Sequence, residues 1–331
     1  MELVRTSFSN IKDLWRGFYS ENSRLSPYSS YEFAECYKKF FHFGFKRAFM
    51  RQEFFLAKEN DDVIAIVPLI KNRKDYYLFG DLCSSGYLDF IYNGTTSERE
   101  IAELLNCIEK SISTWGGVLH LNKINERSML FPYLQQNATE VAVDPCVNIS
   151  FEDIYEEYFK SLGKSIKQNV RTAYNRMNRE GKTYRFEIYI HEPVPANVVK
   201  QEMDIYHKRE EHRNKKKTPV IVKEIRQRFN PISLSTTTME NAVHACFYID
   251  NTMAAFLSGY ITNDNLAIVV PRHAINDDFK LYCAGALLIT ETIKYCINET
   301  CIRNLDLSRG DEKYKYTLGG KNHYNHSFIF A

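Results

Sequence analysis

Charged and aromatic side chains are concentrated in residues 304–320, which read NLDLSRGDEKYKYTLGG. Residues 309–311, RGD, form the tripeptide of integrin-binding loops, and Tyr314 and Lys315 follow shortly after it. An adhesion loop, a surface turn and part of a catalytic site all have this composition. A tripeptide recurs by chance, so the elements around it have to decide between the three.

A second group of residues has the pattern of an anion site. Within residues 279–296, FKLYCAGALLITETIKYC, a helix is predicted to begin near Ala284 and Gly285. The first N–H groups of a helix have no partner inside it and lie at the positive end of its dipole, so they suit a phosphate. A glycine there lets a ligand approach the backbone closely. An ordinary capped helix is the alternative for this segment taken alone.

Several common catalytic motifs are absent from the sequence. His323 and His326 have a spacing found in metal sites but no third ligand nearby, so we expect no metal. The chain contains neither a G-x-x-x-x-G-K-[ST] phosphate loop nor a G-x-S-x-G nucleophile elbow. A P-loop enzyme and a serine hydrolase of the elbow type are therefore disfavoured.

Length and composition indicate a globular protein of about two domains. The chain has 331 residues with a net charge of +2, which gives no protein-wide field for nucleic acid. Its eight cysteines form no C-x-x-C pair and indicate buried, reduced thiols. No stretch has the pattern of a signal peptide or a membrane span, so we expect a cytoplasmic protein. An adhesion loop would have no role in that compartment.

The elements that position these residues are predicted to occur twice. Residues 54–79 and 245–270 each consist of three apolar runs separated by two polar turns, the pattern of an antiparallel meander. A helix is predicted after each meander, over residues 97–112 and 285–297. In the first of these helices, a serine at 97 and a glutamate at 100 are spaced for a capping box.

Each predicted helix is followed by another strand, VLHLN at residues 118–122 and RNLDLS at residues 303–308. Meander, helix and strand thus occur twice in the same order. This repetition predicts two α/β domains of related build. Chance similarity between two hydrophobic meanders is the alternative.

Two further helices are predicted between the repeats, over residues 155–180 and 198–213. The first has an apolar face and a separate basic ridge: Ile166, Val170, Ala173 and Met177 on the face, Lys164, Lys167 and Arg171 on the ridge. Residues 160–185 contain eight basic residues and one acidic residue, which favours either a local anionic partner or a solvated helix face. The lysine run at 215–217 is expected in an exposed loop.

The order of elements and two motifs resemble the GNAT acyltransferases. The loop Gln/Arg-x-x-Gly-x-Gly/Ala, which grips the pyrophosphate of acyl-CoA in that superfamily, corresponds to Lys280, Cys283 and Gly285, with Lys and Cys departing from the pattern. LDLSRGDEKYKYTLGG is similar to the ending of the FemAB-like branch, which includes GNAT proteins associated with cellulose and exopolysaccharide synthesis. The resemblance is close over residues 155–331. Over residues 1–150 it extends to architecture only.

The resemblance implies an α/β (α+β) fold of tandem GNAT-like domains, each a mixed, mostly antiparallel sheet flanked by helices. Residues 1–150 would form a domain without a donor site, and residues 151–331 a domain that binds acyl-CoA. The implied activity is N-acyl transfer, above all of acetyl, from acetyl-CoA or another acyl-CoA to a small-molecule amine. The amine would belong to a sugar, sugar nucleotide or amino-acid unit of a cell-envelope or exopolysaccharide pathway.

The same resemblance implies roles for individual residues. Lys315 would stabilise the oxyanion of the tetrahedral intermediate, and Tyr282 would protonate the leaving thiolate. Asp89 ranks first as general base, ahead of a group of alternatives: Glu210, Glu211 and His273. The residues expected at acyl-CoA are Val269, Val270, Lys280, Cys283, Ala284, Gly285 and Ala286. The residues expected at the acceptor are Asp89, Tyr87, Asp306, Arg309 and Tyr314.

Two other functions stay open at this point. A Fem-type ligase would take an aminoacyl group from tRNA and contact RNA phosphates through the basic segments 160–185 and 208–217. The long two-helix arm of such ligases is not evident in the sequence, so nucleic acid is expected only under this alternative. A non-catalytic binding protein with a decayed donor loop is the second, and Cys283 in place of glycine favours it.

Overall fold

A computed structural model of the chain describes residues 1–41, 50–81, 86–214, 219, 222 and 230–330. Two compact units separate within it. Residues 1–146, 230–232 and 323–331 form the first unit, and residues 147–229 and 233–322 form the second. The sequence predicted domains over residues 1–150 and 151–331. The observed first unit differs in that it also contains the C-terminal segment 323–331 and residues 230–232.

The first unit is a sheet covered by helices. Its strands lie side by side in the order β1 (Glu2–Thr6), β2 (Met50–Glu59), β3 (Asp62–Asn72), β4 (Asp75–Leu78), β6 (Val118–Asn125) and β13 (Lys321–Phe330), and β5 (Ile91–Tyr92) pairs with β3. Its helices are α1 (Lys12–Glu21), α2 (Tyr31–Phe41), α3 (Glu98–Thr114) and α4 (Phe131–Asn137). The chain leaves this unit along β7 (Thr139–Ser150).

The predicted meander and helix are present in the first unit. Strands β2, β3 and β4 pair antiparallel in sequence, and β4 pairs parallel with β6 after the crossover through α3. The capping box between Ser97 and Glu100 is formed. The apolar face of α3 is buried at the positions predicted from its periodicity: Ile101, Leu104, Leu105 and Ile108.

The second unit repeats this build. Its elements are α5 (Tyr155–Ser161), α6 (Lys164–Arg179), β8 (Tyr184–Ile190), α7 (Ala196–Asn214), α8 (Pro231–Thr238, of which residues 233–238 belong to this unit), β9 (Ala242–Ile249), β10 (Thr252–Ile261), β11 (Ala267–Ile275), α9 (Ala284–Glu299), β12 (Asn304–Arg309) and α10 (Lys313–Thr317). Strands β8 to β11 are antiparallel neighbours, and β12 pairs parallel with β11 after the crossover through α9. The predicted fold class, mixed and mostly antiparallel sheets flanked by helices, is confirmed.

The second unit has two hydrophobic cores, one on each face of its sheet, because successive side chains of a strand point to opposite faces. Val243, Ala245 and Phe247 of β9 point to the face covered by α5, α6 and α9, whereas Cys246 and Tyr248 point to the face covered by α7. Successive side chains of a strand lie on opposite faces, so both faces of β9 are apolar and buried. The sheet is therefore the middle layer of three.

Two sequence predictions need correction. The helix predicted over residues 155–180 is two helices, because the chain is extended at Leu162 and Gly163 between α5 and α6. The last strand of the meander predicted over residues 245–270 continues to Ile275. The predicted apolar face of α6 is buried as expected, whereas the lysine run at 215–217 lies outside the described residues. No helix in the described part of the chain has the length and apolar character needed to cross a membrane.

Candidate active site

Strands β11 and β12 separate from each other soon after they begin. They pair in parallel at Ala267 with Asn304, and the last pair, Val269 with Asp306, comes two residues later. Among the described residues no further pair joins them, although β11 runs on to Ile275. Beyond Val269, β11 therefore runs on without pairing with β12, and on this stretch Arg209 donates a hydrogen bond to the carbonyl of His273.

A bulge opposite Gly259 lies where β11 and β12 separate. The register of β10 on β11 shifts so that Ser258 faces Arg272 and Tyr260 faces Val269, which leaves two residues of β11 opposite one glycine. A Cβ at position 259 would overlap the carbonyl oxygen of Val269, so only glycine fits. Pro271 lies in the bulge, where its missing N–H removes no ladder bond. Sequence reasoning missed this bulge, and the proline within an apolar run is the signal that could have indicated it.

A cavity of about 290 Å³ lies where β11 ends and α9 begins. Its walls come from five elements and the turn before α9: Ile166, Arg209, His273, Ala274, Ile275, Asp277, Lys280, Gly285, Ala286, Tyr314, Thr317 and Leu318. The charged members of this set are exposed, whereas most of the others are apolar. The cavity thus has an apolar interior and a charged mouth, and its volume suits one part of an extended ligand.

His273 carries an unusual polar atom in this cavity. Its Nε2 is buried and has no hydrogen-bond partner within the described part of the chain. The ring stacks on Tyr314, with 5.6 Å between ring centroids, and Arg209 donates a hydrogen bond to the carbonyl of His273. Burial lowers the pKa of His273 to about 4, and the charges of Arg209 and Lys315 act in the same direction. The imidazole is therefore neutral at neutral pH.

The turn before α9 differs from the anion loop expected there. Residues 277–282 form a 3-10 helix, and Cys283 then adopts a left-handed conformation with φ of 49°. The ammonium of Lys280 lies 3.1 Å from Asp277, which also accepts from His212 at 2.9 Å. Of the residues predicted at acyl-CoA, Lys280, Gly285 and Ala286 line the cavity. The others, Val269, Val270, Cys283 and Ala284, do not belong to its walls.

Comparison with known proteins identifies the fold. Residues 164–316 match the family model described as an acetyltransferase (GNAT) domain, and no curated protein sequence matches the chain significantly. FemX superposes with a TM-score of 0.62 at 9% identity, over 100% of this chain and 97% of FemX. A conserved protein of unknown function from Bacteroides thetaiotaomicron has a TM-score of 0.61 at 13% identity, over 99% of each chain. A tandem GNAT protein from the clavulanic acid biosynthesis pathway has a TM-score of 0.51 at 8% identity, over 99% of this chain and 97% of its own.

This chain has the FemAB-like GNAT fold. The antiparallel meander of the second unit ends at β11. The match to the GNAT domain, over residues 164–316, includes β11, α9, β12 and most of α10. The predicted resemblance to the superfamily and to its FemAB-like branch is confirmed at the level of fold.

Lys315 of this GNAT domain is buried and fully engaged. Only 2% of its surface is exposed, and its ammonium lies within 3.0–3.2 Å of four carbonyl oxygens: those of Leu307, Ser308, Arg309 and Gly310. Glu312 adds a carboxylate at 3.0 Å. An ammonium has three donors, so none is left for an oxyanion. This geometry does not favour the direct oxyanion role predicted for Lys315; it favours a role in holding the turn after β12.

The other predicted residues of the GNAT domain are spread around the cavity. Tyr314 forms one wall, and Arg309 is exposed at the end of β12. Asp306 accepts a 2.7 Å hydrogen bond from the backbone of Ser308. The hydroxyl of Tyr282 donates to Glu180 at 2.6 Å, and Tyr282 is not among the residues that line the cavity. That position gives no support to its predicted contact with a leaving thiolate.

Asp89 belongs to the first GNAT-like unit. Its carboxylate accepts hydrogen bonds from Ser128 at 2.7 Å, from the backbone of Phe90 at 2.8 Å and from Tyr92 at 3.3 Å. Burial raises the pKa of Asp89 to about 7, although the three donors oppose the shift. Its neighbour Tyr87 has a positive φ of 54°. Glu210 lies near the end of α7 and does not line the cavity, and the same holds for Glu211.

Sequence reasoning missed two further features of the second unit. Arg209 reaches the cavity from α7, where the sequence analysis placed only Glu210 and Glu211 as alternative bases and a basic segment for RNA, and no local pattern indicated its contact with the cavity. A buried ion pair also escaped notice, in which Nδ1 of His244 lies 2.8 Å from Glu202 and Nε2 donates to the carbonyl of Thr236. The Glu202 carboxylate raises the pKa of His244 against the effect of burial. Glu202 and His244 are 42 residues apart in the chain, so no local sequence pattern indicated this pair.

Proposed function

We propose that the chain is an N-acyltransferase that moves an acyl group, above all acetyl, from a CoA thioester to the amine of a small molecule. The donor would bind the second unit at the cavity between β11 and α9. The observation that carries this proposal is the separation of β11 from β12 beside that cavity, because the two strands stop pairing with each other next to an apolar space. The GNAT domain match over residues 164–316 supports it.

The residues present fit an acyl-CoA. The stretch of β11 beyond its last pair with β12 would supply backbone groups for an amide-bearing arm, and most of the uncharged residues in the cavity wall are apolar, as such an arm requires. The phosphates would lie at the N-terminus of α9, with Arg209 and Lys280 at the mouth of the cavity.

The chemistry asks for an oxyanion donor and a route for a proton. The donor is proposed to be a backbone N–H of β11 beyond its separation from β12, with Pro271 excluded because it has no N–H. His273 is a weak base at neutral pH, since burial lowers its pKa to about 4. Asp89 stays a base predicted from the sequence alone, since it is buried in the first unit and does not line the cavity, although burial raises its pKa to about 7, a range suited to general base catalysis.

The acceptor is proposed to be an amine of a sugar, sugar nucleotide or amino-acid unit in a cell-envelope or exopolysaccharide pathway. The FemAB-like fold supports this class. Native mass spectrometry of the chain with CoA, acetyl-CoA and longer acyl-CoAs tests the donor, and amines of these three classes then test the acceptor. We expect a 1:1 complex with CoA and a mass increase of the acceptor by one acyl group. No complex with any CoA species would refute the proposal.

An aminoacyl-tRNA donor is the second candidate, and the likeness of the fold to FemX is the observation that favours it. The exposed Lys164 and Arg171 of α6 would then contact phosphates. We expect instead that tRNA binds only in the non-specific range of about 10⁻⁴–10⁻⁶ M at physiological salt. A sub-micromolar complex with aminoacyl-tRNA that weakens as the salt concentration rises would favour the ligase function. In that case, removing each contacting charge should reduce the slope of log affinity against log salt concentration by about one.

A further inference from the structure

Helix α7 packs on the sheet of the second unit through a stripe that is half charged. Residues spaced by four and three positions lie on one face of a helix, and on α7 this stripe consists of Val198, Glu202, Ile205 and Arg209. Val198 and Ile205 belong to the hydrophobic core on this face of the sheet, and Glu202, between them in the stripe, is buried as well. A buried carboxylate needs a cation, because an unpaired charge is costly away from water.

The cation is His244 of β9, whose ring lies between two acceptors. Its Nδ1 is 2.8 and 2.9 Å from the two carboxylate oxygens of Glu202, and its Nε2 is 2.7 Å from the carbonyl oxygen of Thr236 in α8. Both contacts are hydrogen bonds only when both ring nitrogens carry a proton. The geometry therefore requires the charged imidazolium, and loss of one proton would set a nitrogen lone pair against an acceptor oxygen.

The other groups around His244 come from the strands beside it and from α7. Its neighbour across β10 is the neutral Ser258, and the titratable or charged groups are Glu202 of α7, Tyr189 of β8, Cys246 of β9 and Arg272 of β11. Burial lowers the pKa of His244 and the charge of Arg272 acts in the same direction, but Glu202 and the Thr236 carbonyl outweigh both and raise the pKa above 6.5. The ring is charged below this raised pKa and loses its proton as the pH rises through it.

The stripe that begins beside His244 ends at the cavity. Arg209 follows Glu202 by two turns, or about 10 Å of helix. It donates a hydrogen bond to the carbonyl of His273 in β11, and it lines the cavity. Because a helix is stiff over two turns, the contact of Glu202 with β9 fixes where Arg209 lies over β11.

We propose that Glu202 and the doubly protonated His244 are positioning residues that hold α7 against the sheet so that Arg209 reaches the cavity, and that affinity for the donor falls when His244 loses its proton. This inference rests on the proposed function and deepens it, because it places control of the donor site outside the cavity. Neither residue belongs to the described cavity wall. Both act through Arg209.

Hydrogen exchange and CoA titration of the whole protein between pH 6 and 8.5 test this inference. The exchange of α7 is compared with that of α9 in the same samples, because the intrinsic exchange rate rises with pH in both helices. We expect α7 to lose protection relative to α9 as the pH rises. We also expect the Kd for CoA to increase by about 3- to 10-fold, the equivalent of one lost hydrogen bond.

Two variants separate protonation from packing. Glu202→Met combined with His244→Leu replaces the pair by hydrocarbon, an exchange that is often neutral for a buried ion pair. Relative to the titration of CoA itself, which is common to all samples, this double variant should bind CoA without pH dependence. Glu202→Gln removes the charge that raises the pKa of His244, so its loss of affinity should occur at a lower pH than in the wild type.

His212→Asn is the matched control. His212 joins the same helix to Asp277, with 2.9 Å between Nδ1 and the carboxylate, so it is a second titratable contact of α7. Its removal should leave the pH dependence of CoA binding in place. Loss of that dependence in His212→Asn would overturn the inference, because the control would then lie at Asp277.

The remaining outcomes distinguish the positioning pair from the donor site. Unchanged relative exchange of α7 across the pH range would overturn the inference and leave the donor site standing. The same holds if the double variant keeps the pH dependence of the wild type. If the double variant does not fold, the shift expected for Glu202→Gln decides, and its absence overturns the inference. If the wild type binds no CoA at any pH, the donor site is refuted, and the effect of His244 on it as well.

Discussion

Lys315 donates a 3.0 Å hydrogen bond to the carbonyl oxygen of Gly310, the residue at which the chain turns out of β12. Gly310 has a φ of 109°, a conformation that favours glycine. The same ammonium also donates to the carbonyls of the three preceding residues, Leu307, Ser308 and Arg309. One buried charge thus holds the backbone at the end of β12 in place. Because α10 follows directly, Lys315 also positions Tyr314 at the cavity wall.

Substitution of Lys315 by Met should therefore lower stability as well as donor binding. The change leaves several carbonyl oxygens without a donor, and we expect a loss of about 1.5–3 kcal/mol, the value of a hydrogen bond to a charged group. Thermal unfolding and CoA titration of the same samples measure the two effects. Lys313→Met, an exposed neighbour in α10, is the matched control. A variant that melts like the wild type but loses kcat alone would restore the direct oxyanion role.

Gly285 should tolerate neither a methyl group nor a charge, for different reasons. A Cβ at this position would lie 2.5 Å from Cδ1 of Ile275, so Gly285→Ala crowds the cavity wall. Ile275→Val removes that methyl and should restore CoA binding to the alanine variant. Gly285→Asp should abolish binding in both backgrounds, because its carboxylate would lie where the phosphates are proposed to bind. Calorimetry with CoA decides, and equal binding by the aspartate variant would show that the anion site lies elsewhere.

Gly259 should be required for the bulge that parts β11 from β12. A side chain there would overlap the carbonyl of Val269, so Gly259→Ala must shift β11 or β10. We expect a loss of roughly 1–3 kcal/mol, typical of overpacking, together with weaker CoA binding. Denaturant unfolding measures the first and titration the second. Gly163→Ala is the control, because a Cβ at that position meets nothing within 4 Å. Unchanged binding in a destabilised Gly259→Ala would disconnect the bulge from the donor site.

Asp89 should make stability depend on pH in a direction opposite to that of most carboxylates. Burial raises its pKa from 3.8 to about 7 in the folded protein, so the folded state holds the proton more tightly than the unfolded state. Its contribution to stability is present below about pH 4 and is lost as the pH rises to about 7. The advantage of Asp89→Asn over the wild type should grow across that window, by at most about 1.4 kcal/mol per pH unit, and level off above it. Urea unfolding between pH 5 and 8.5 measures it, with the exposed Asp62→Asn as control, and a constant difference would contradict the prediction.

Periodic patterns in the sequence determined the elements of this protein. The apolar residues of α3 and α6 recur with the helical period, and a capping box marks the start of α3, so the buried faces of both helices and the start of α3 followed from the sequence, whereas the start of α6 did not. The two meanders with their crossover helices likewise followed from runs and turns. These patterns can be read from the sequence because the hydrogen bonds of a helix or hairpin join residues close in the chain. An element that buries one face has apolar residues repeating with the period of that element.

The environments of single polar groups were decided only by the tertiary structure. The segment around Tyr314 and Lys315 was recognised from its motif, yet whether Lys315 is free or engaged depends on carbonyls that the turn brings around it. His273 and Tyr314 meet only because β11 and α10 lie side by side, and Arg209 arrives from a third element. Desolvation and hydrogen bonding depend on all atoms within a few ångströms in space. Those atoms come from distant parts of the chain, so no local pattern records them.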